Sequence, residues 1–266
     1  MRAAGPFDAP HLAQGYASAR PPLHARILAR ALRAAGSPRL HEVGFDSGCG
    51  AGLSTRAMLP HVSVALAADP VLSMVRQAAA CVPEARFFAA RMESLPLNDG
   101  CCRLMTAAGS LNYTDVPAAL REAARVLSPG GLLIVYDFAP GKRFGDDKSL
   151  EKWFDAFLGR HPKPADGAAA LDPPALRALA GGFFQPLAES TIEEREIYDA
   201  PRYAAYMMTE TNAAAAIRAG ERAAAIRQWM DETLPAVFGE RPREVLFDAY
   251  FAVFAKPSSS STRAAP

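Results

Sequence analysis

The sequence predicts an α/β protein with a mostly parallel seven-stranded sheet, helices on both faces and a helical cap. Strand-like apolar runs alternate with helical patterns as far as residue 138, which is the order expected of a parallel sheet. A glycine-rich loop joins the first of these strands to the helix that follows it. The chain has 266 residues, of which 50% are hydrophobic, so it is long enough for a domain with a sizeable core.

Composition and charge exclude several classes of function. A net charge of +1 offers no electrostatic footprint for nucleic acid or for a membrane surface. No apolar run is long enough to cross a bilayer, and the N-terminus lacks the pattern of a secretory signal. We therefore expect a cytoplasmic protein without nucleic-acid or membrane partners. The oligomeric state, monomer or homodimer, stays open.

The cysteines and histidines do not form a metal-binding pattern. The four cysteines are too few and wrongly spaced for a disulfide framework or a two-pair zinc site, and the five histidines are scattered. A soft-metal site at the vicinal pair Cys101-Cys102 is a minor alternative, because no third cysteine is near in sequence. We expect no metal.

Residues 1–36 are predicted to form an N-terminal helical lid. Apolar residues at helical spacing include Leu23, Ile27, Leu28 and Leu32, and Gly36 is a natural end for that helix. Packing of the helix on the sheet explains most of these residues.

The glycine loop lies between residues 41 and 55. An apolar run ends in Asp46, alternating glycines follow at Gly48, Gly50 and Gly52, and a helical pattern begins near Ser54. Glycines permit positive φ angles and let a ligand lie against the backbone, and the N–H groups of the helix favour an anionic ligand group. The acid could bind a cationic or hydroxylated part. The loop therefore suits a ligand of mixed charge.

The spacing of the glycines excludes two nucleotide-binding motifs. The dinucleotide fingerprint needs a glycine where Leu53 stands, and no lysine follows the loop as a phosphate-binding P-loop requires. What remains is Asp46-x-Gly48-x-Gly50-x-Gly52. A plain corner between a strand and a helix would also explain these glycines.

A second acid ends the next predicted strand, residues 62–68. Asp69 follows Asp46 by 23 positions, and the two oxygens of a carboxylate at this place match a ribose diol. Capping of the following helix, with Pro70 in its first turn, is the alternative. Met74 could pack on a purine face or in the core.

Two further predicted strands, residues 85–90 and 102–108, end in loops at the same sheet edge. Ligands of such sheets bind at the carboxyl ends of the strands, where the glycine loop, Asp69, Met92 and Gly109 would gather. Beyond them we expect a helix over residues 117–127, a tight turn at 128–131 and a fifth strand over 132–138.

These segments together resemble class I S-adenosylmethionine-dependent methyltransferases of the small-molecule type, similar to the trans-aconitate and ubiquinone-biosynthesis methyltransferases. The resemblance covers about residues 7–138 and implies the Rossmann-like methyltransferase fold. It rests on four motifs in order, namely Tyr16…Arg20-Pro21-Pro22, the glycine loop with Asp69, Glu93-Ser94-Leu95-Pro96, and Arg125-Val126-Leu127-Ser128-Pro129-Gly130-Gly131. The sequence departs from the family pattern at Arg91, Met92 and Arg103.

The resemblance implies a bound S-adenosyl-L-methionine, with S-adenosyl-L-homocysteine as the product. The positions that it assigns to the cofactor are Tyr16, Arg20, Asp46, Gly48, Cys49, Gly50, Gly52, Asp69, Pro70, Met74, Arg91, Met92, Glu93, Ala108 and Gly109. The tyrosine is of interest because an aromatic face attracts a sulfonium.

The implied reaction is an in-line displacement of the methyl group onto a small-molecule acceptor, by O-, N- or C-methylation. The protein aligns the two reactants and excludes water. If the acceptor is a hydroxyl group, a base must take its proton. The candidates are Tyr113, Tyr136, Asp137 and His11.

The remainder of the chain is expected to complete a single domain over residues 1–256. A sixth strand is predicted at 183–197 and a last strand at 244–255, with a flexible tail at 257–266. Helical insertions at 140–170 and 198–240 are rich in aromatic residues and methionine, so we expect them to form the acceptor pocket.

Two other functions remain open. A nicotinamide-dependent oxidoreductase could have a similar sheet, although the missing third glycine disfavours it. A binding or scaffold protein that has lost turnover on the methyltransferase fold is consistent with the departures at Arg91, Met92 and Arg103.

Overall fold

A computed structural model describes residues 19–37, 39–145, 147–162 and 171–258. The predictions for His11, Tyr16 and most of the C-terminal tail lie outside the described residues.

The strands of the described chain are close to the predicted ones. They are β1 His41–Ser47, β2 Val62–Asp69, β3 Arg86–Ala89, β4 Cys102–Ala108, β5 Leu127–Phe138, β6 Gln185–Tyr198 and β7 Arg243–Ala255.

Helices separate most of these strands. They are α1 Leu23–Ala34, α2 Leu53–Met58, α3 Leu72–Cys81, α4 Val116–Val126, α5 Ser149–Arg160, α6 Pro173–Ala180, α7 Ala200–Met207, α8 Thr211–Arg218 and α9 Ala223–Phe238, with short 3-10 turns at Leu59–His61 and Leu111–Tyr113. Among the described residues, no helix has both the length and the apolar character needed to span a membrane.

The strands form a seven-stranded sheet in the order β3-β2-β1-β4-β5-β7-β6. Four neighbouring pairs, from β3 across to β5, are parallel, with Asp46 opposite both Ala67 on β2 and Thr106 on β4. The predicted fold class is confirmed. Because the chain proceeds from β1 to β2 on one side and later returns to β4 on the other, a crevice opens at the carboxyl end of β1.

The chain divides into two compact units. The sheet unit comprises Pro22–Asp137, Ala168–Thr191 and Ala249–Pro266, and the helical unit comprises Met1–Pro21, Phe138–Gly167 and Ile192–Asp248. The interpretation of residues 1–256 as one domain with insertions stays a prediction.

The core of the sheet unit explains why its helices form. Helix α1 has one buried apolar face and one polar face. The buried residues recur at helical spacing and are Leu23, Ile27, Leu28, Ala31 and Leu32. Each fully buried leucine or isoleucine stabilises the unit by roughly 1.5–3 kcal/mol. Helix α4 begins at a side-chain cap, in which Asp115 accepts a hydrogen bond from the N–H of Ala118.

One predicted detail is wrong. Residues 128–131 form a bulge inside β5 rather than a turn before it, since Leu127 pairs with Cys102 and Leu132 with Leu104. Their backbone pairs with the end of β7, where the N–H of Gly130 donates to the carbonyl of Lys256. The helical insertion predicted at 198–240 is present as three helices, and Gly220, at φ 103°, lies in the second break between them.

The helical unit has an aromatic core. The Trp153 ring stacks on Phe157 and on Trp229 with centroids 5.8 and 5.2 Å away, and meets Tyr203 edge-on at 5.7 Å. The aromatic side chains of α5 therefore pack within the helical unit.

Candidate functional site

The glycine loop between β1 and α2 is the centre of the site in the sheet unit. Gly48 has φ 69°, and a Cβ at this position would lie 2.3 Å from the Cβ of Ser110. Gly50 has φ 51°, and a Cβ there would have no atom within 4 Å, so this residue faces open space. The loop therefore needs glycine for close packing on one side, and presents bare backbone on the other.

Asp69, at the end of β2, is hydrogen-bonded to this loop. Its Oδ2 accepts a hydrogen bond from the N–H of Gly50 at 3.0 Å, and its Oδ1 accepts one from the N–H of Val71 at 2.8 Å. Burial raises the pKa of the carboxyl, against both backbone bonds, which lower it. Helix α3 begins only at Leu72, so Asp69 does not cap a helix starting at Pro70.

Asp46 lies beneath the loop rather than on its open side. Its carboxylate is fully buried and accepts three hydroxyl hydrogen bonds, from Ser54 at 2.6 Å, Thr55 at 2.7 Å and Thr106 at 2.7 Å. Burial raises its pKa, although the three hydroxyls lower it. We therefore correct its expected role, because a carboxylate with no exposed surface braces the loop and does not contact a ligand.

Sequence reasoning missed the three hydroxyls that hold the carboxylate of Asp46. Ser54 and Thr55 lie in the first turn of α2, and Thr106 lies in the middle of β4. A polar residue at a buried strand position was the available signal for Thr106, because buried hydroxyls are hydrogen-bonded.

The side chain of Cys49 packs behind the loop. It is 3% exposed and lies against Ala67 and Ala78, and burial raises the pKa of its thiol. Gly52 is packed on the same side, since a Cβ there would meet Ala78 at 3.2 Å. Any ligand contact from these two positions would come from the backbone alone.

The ends of β4 and β5 form the neighbouring rim. The N–H of Gly109 donates to the carbonyl of Tyr136, and a Cβ on Gly109 would lie 2.8 Å from Oδ1 of Asp137. Ser110 donates to the carbonyl of Ser47 at 2.7 Å, which ties this rim to the glycine loop. The predicted positions at 48–50, 69 and 109 therefore come together.

Tyr136 points into the protein and differs from the other base candidates. It is fully buried, its hydroxyl lies 3.2 Å from Nδ1 of His24, and burial raises its pKa well above the usual range. Asp137 is half-buried beside Gly109, and Tyr113 is 53% exposed. Of these three, Asp137 and Tyr113 have surface available to an acceptor.

In the loop after β3, the side chains of residues 91–93 contact other parts of the protein. Arg91 pairs with Glu93 at 2.6 Å, and Glu93 also accepts a hydrogen bond from the N–H of Asp115. The Met92 side chain is 5% exposed and belongs to the core cluster. Glu93 and Met92 are thus engaged within the protein, whereas the Arg91 side chain keeps 48% of its surface exposed while it pairs with Glu93.

The side chains at the remaining predicted positions also contact other parts of the protein. Met74 is 3% exposed on α3, which favours core packing over contact with a purine. Arg20 lies in the helical unit, where it pairs with Glu210 at 3.1 Å and donates to the carbonyl of Thr209. Arg103 donates to the carbonyl of Pro129 at the bulge of β5, so this departure from the family pattern has a structural partner.

The part of the chain that contains the glycine loop is similar to known proteins. Residues 45–135 match the family model described as "Methyltransferase domain". Demethylmenaquinone methyltransferase of Thermus thermophilus is 43% identical over 75 residues, 27% of this chain and 34% of that protein. The ubiquinone/menaquinone biosynthesis C-methyltransferase of Acidiphilium cryptum is 32% identical over 136 residues, 48% of this chain and 55% of that protein. The matches thus span about a third to a half of these relatives.

Solved structures share the fold at low identity. A protein of Anaeromyxobacter dehalogenans assigned as a type II methyltransferase aligns with a TM-score of 0.64 and 20% identity, over 89% of this chain and 96% of that one. A Haemonchus contortus phosphoethanolamine N-methyltransferase, solved with S-adenosylhomocysteine, aligns with a TM-score of 0.51 and 13% identity, over 88% and 52%. The chain thus shares the fold of solved methyltransferases, and its residues 45–135 match the methyltransferase domain.

Proposed function

We propose that this chain, which has a class I methyltransferase fold and a methyltransferase domain at residues 45–135, transfers a methyl group from S-adenosylmethionine to a small-molecule acceptor. The observation that carries the proposal is the glycine loop held open by Asp69 at the switch point of the sheet, with bare backbone at Gly50. This is where parallel sheets bind nucleoside ligands.

The residues present fit an adenosyl cofactor. Each oxygen of Asp69 accepts one backbone N–H, and a carboxylate oxygen has a second lone pair, so both can still accept a ribose hydroxyl. The backbone of Gly50 and Gly109 would line the site, with the loop of Arg91 beyond. When bound, the cofactor supplies an electrophilic methyl group on a sulfonium.

The protein contributes alignment and proton handling. Asp137 lies against Gly109 at the rim, with part of its surface open, so it is the best-placed candidate to accept a proton from a hydroxyl acceptor. Tyr113 is the second candidate. The acceptor site, by this proposal, is formed by the insertions at 140–170 and 198–240.

The names of the relatives suggest one class of acceptor. Two of them are named as methyltransferases of menaquinone or ubiquinone biosynthesis, one as a C-methyltransferase, so an aromatic ring carbon is the first acceptor to test. Cytoplasmic localisation and the absence of nucleic-acid partners stay predictions.

Transfer of labelled methyl groups tests the function. We expect label from S-adenosylmethionine to appear in a small-molecule fraction of a cell extract, and Gly50→Ala to weaken S-adenosylhomocysteine binding at least tenfold, because its Cβ enters the open cradle. Gly145→Ala is the matched control, since Gly145 also has positive φ and open surroundings but lies in the helical unit.

Two outcomes would contradict the proposal. Cofactor binding without transfer to any fraction would favour the inactive scaffold protein. Binding of NADH in place of S-adenosylhomocysteine would favour the oxidoreductase.

A further inference from the structure

Strand β6 is the last strand at one end of the sheet, and none of the described strands lies beyond it. It is 14 residues long, Gln185–Tyr198. The outer edge of such a strand presents backbone N–H and C=O groups that can pair with a strand of another molecule. The side chains along β6 indicate which molecule that is.

The side chains of β6 alternate between a solvent face and a covered face. Every residue at the odd positions from 187 to 197 is exposed, and no residue at the even positions from 188 to 198 is. This alternation is the period of a regular strand, so the solvent face is a single row of side chains. The row consists of Leu187, Glu189, Thr191, Glu193, Arg195 and Ile197.

The row has a symmetric order about residue 192. Large apolar side chains stand at its two ends, where Leu187 is 48% exposed and Ile197 is 52% exposed. Opposite charges stand inside them, Glu189 two positions after Leu187 and Arg195 two positions before Ile197. Each apolar residue is therefore as far from the middle of the row as the other, and each of these two charges is as far from it as its opposite.

This order makes the row complementary to itself. Two copies of β6 that pair edge to edge and antiparallel are related by a two-fold axis perpendicular to the sheet, so residues directly opposite each other lie on the same face. With Ile192 on the axis, Leu187 faces Ile197 of the second copy. In the same register, Glu189 faces Arg195 of the second copy. Apolar pairs and opposite charges at directly opposite positions both stabilise a sheet.

The neighbouring registers lose this complementarity. With Thr191 on the axis, Glu189 would face Glu193, and with Glu193 on the axis two glutamates would face each other. Like charges directly opposite each other are destabilising. In the register centred on Ile192 the third pair of the solvent face is Thr191 with Glu193, so this face has no pair of like charges.

The charged side chains of the row also make contacts within the chain. Arg195 pairs with Glu244 at 3.0 Å and with Glu193 at 3.1 Å, and Glu189 pairs with Arg177 at 2.6 Å. The side chain of Arg195 is still 59% exposed and that of Glu189 is 32% exposed. Both charges therefore have surface left for a second copy.

We propose that the β6 edges of two copies of this chain pair antiparallel about Ile192 and form a two-fold homodimer. The pairing gives the edge backbone of β6 hydrogen-bond partners and covers Leu187 and Ile197 with each other. It does not depend on methyl transfer, so it can be tested whether or not an acceptor is found.

A charge-swap experiment tests the dimer and its register together. We expect the wild-type protein to sediment as a dimer in analytical ultracentrifugation. Arg195→Glu and Glu189→Arg should each weaken dimerisation at least tenfold, because each variant dimer contains two pairs of like charges. An equal mixture of the two variants should recover the dimer, since each glutamate of one variant then faces an arginine of the other.

The mixture also controls for folding. Each variant loses the same ion pair within its own chain whether it is alone or mixed, so recovery of the dimer can come only from contacts between chains. Arg218→Glu, the same charge change at an exposed position of α8, should leave dimerisation unchanged. Leu187→Glu disturbs no ion pair within the chain and should also weaken dimerisation, because it places a charge opposite Ile197.

Three results would overturn the proposal. A wild-type protein that sediments as a monomer at its highest soluble concentration would mean that the charges of β6 protect a free edge from pairing. A dimer that none of the β6 variants weakens would have its interface elsewhere. Dimerisation that each charge variant weakens and that mixing does not recover would reject the register about Ile192.

Discussion

Two buried carboxylates in the sheet unit carry out different tasks although burial raises the pKa of both. The carboxylate of Asp46 accepts hydrogen bonds from three hydroxyl groups and has no exposed surface. Asp69 accepts only two backbone N–H bonds and is 8% exposed at the open side of the loop. The number of donors already bound, rather than the residue type, decides which acid can take a ligand.

The first prediction concerns Asp69. Asp69→Ala should weaken S-adenosylhomocysteine binding at least tenfold, about 1.4 kcal/mol, because the ribose loses its acceptor and the N–H of Gly50 loses its partner. Isothermal titration calorimetry measures this change. Asp172→Ala is the matched control, since it also removes an aspartate that accepts a backbone N–H, at the start of α6. Unchanged affinity in a folded Asp69→Ala protein would refute the ribose role.

Departures from the family pattern also have local explanations at this scale. Arg91 pairs with Glu93, Met92 fills a place in the core cluster, and Arg103 binds the carbonyl of Pro129. Each side chain has a structural partner in the sheet unit. The departures therefore do not by themselves indicate a protein that has lost its function.

Helix starts show how short-range chemistry sets element boundaries. Asp172 and Asp199 precede α6 and α7 and accept backbone N–H bonds from Ala175 and Arg202, with a proline in the first turn of each helix. Such boundaries can be predicted from sequence. The bulge at 128–131 could not, because it depends on pairing with the distant Lys256.

The start of α5 leads to a prediction of pH dependence. The N–H of Ser149 and the guanidinium of Arg243 lower the pKa of Asp147 from 3.8 to about 2. A carboxyl whose pKa is lower in the folded state stabilises the protein above its unfolded pKa, and this stabilisation is lost as the pH falls through the folded value. The native state therefore gains from Asp147 above about pH 4.

Substitution of Asp147 tests this. Asp147→Asn should lower the urea midpoint at pH 7, and the difference from wild type should shrink between pH 4 and pH 2. Asp155→Asn, at an exposed position of α5, should show no such trend. A difference that is constant from pH 7 to pH 2 would rule out the ion pair as its source.

At the scale of the whole molecule, the strand order β3-β2-β1-β4 determines where a ligand can bind. It brings the loops after β1, β2 and β4 to one edge of the sheet, where Gly50, Asp69 and Gly109 line the crevice. None of the three binds a cofactor alone, so cofactor binding should couple to the folding of the entire sheet unit.

Ligand-induced stabilisation measures this coupling. S-adenosylhomocysteine at 100 times its dissociation constant should raise the free energy of unfolding by about 2.7 kcal/mol, because it binds only the folded state. NADH at the same concentration should leave the free energy unchanged. Stabilisation by NADH and not by S-adenosylhomocysteine would reject the methyltransferase interpretation. At the same S-adenosylhomocysteine concentration, Gly50→Ala should reduce the stabilisation to about 1.4 kcal/mol or less.

The sequence by itself determined the parallel sheet, the glycine loop and the position of Asp69, because strand periodicity and glycine spacing are local properties of the chain. Only the tertiary structure decided that Asp46 is enclosed by hydroxyls and that Arg20 pairs with Glu210, 190 positions later. It also brought the rings of Tyr198, Tyr203 and Tyr206 together, with centroids 5.7–5.8 Å apart. Hydrogen bonds between distant segments depend on which strands and helices become neighbours in space. The spacing of residues along the sequence does not indicate which elements these are.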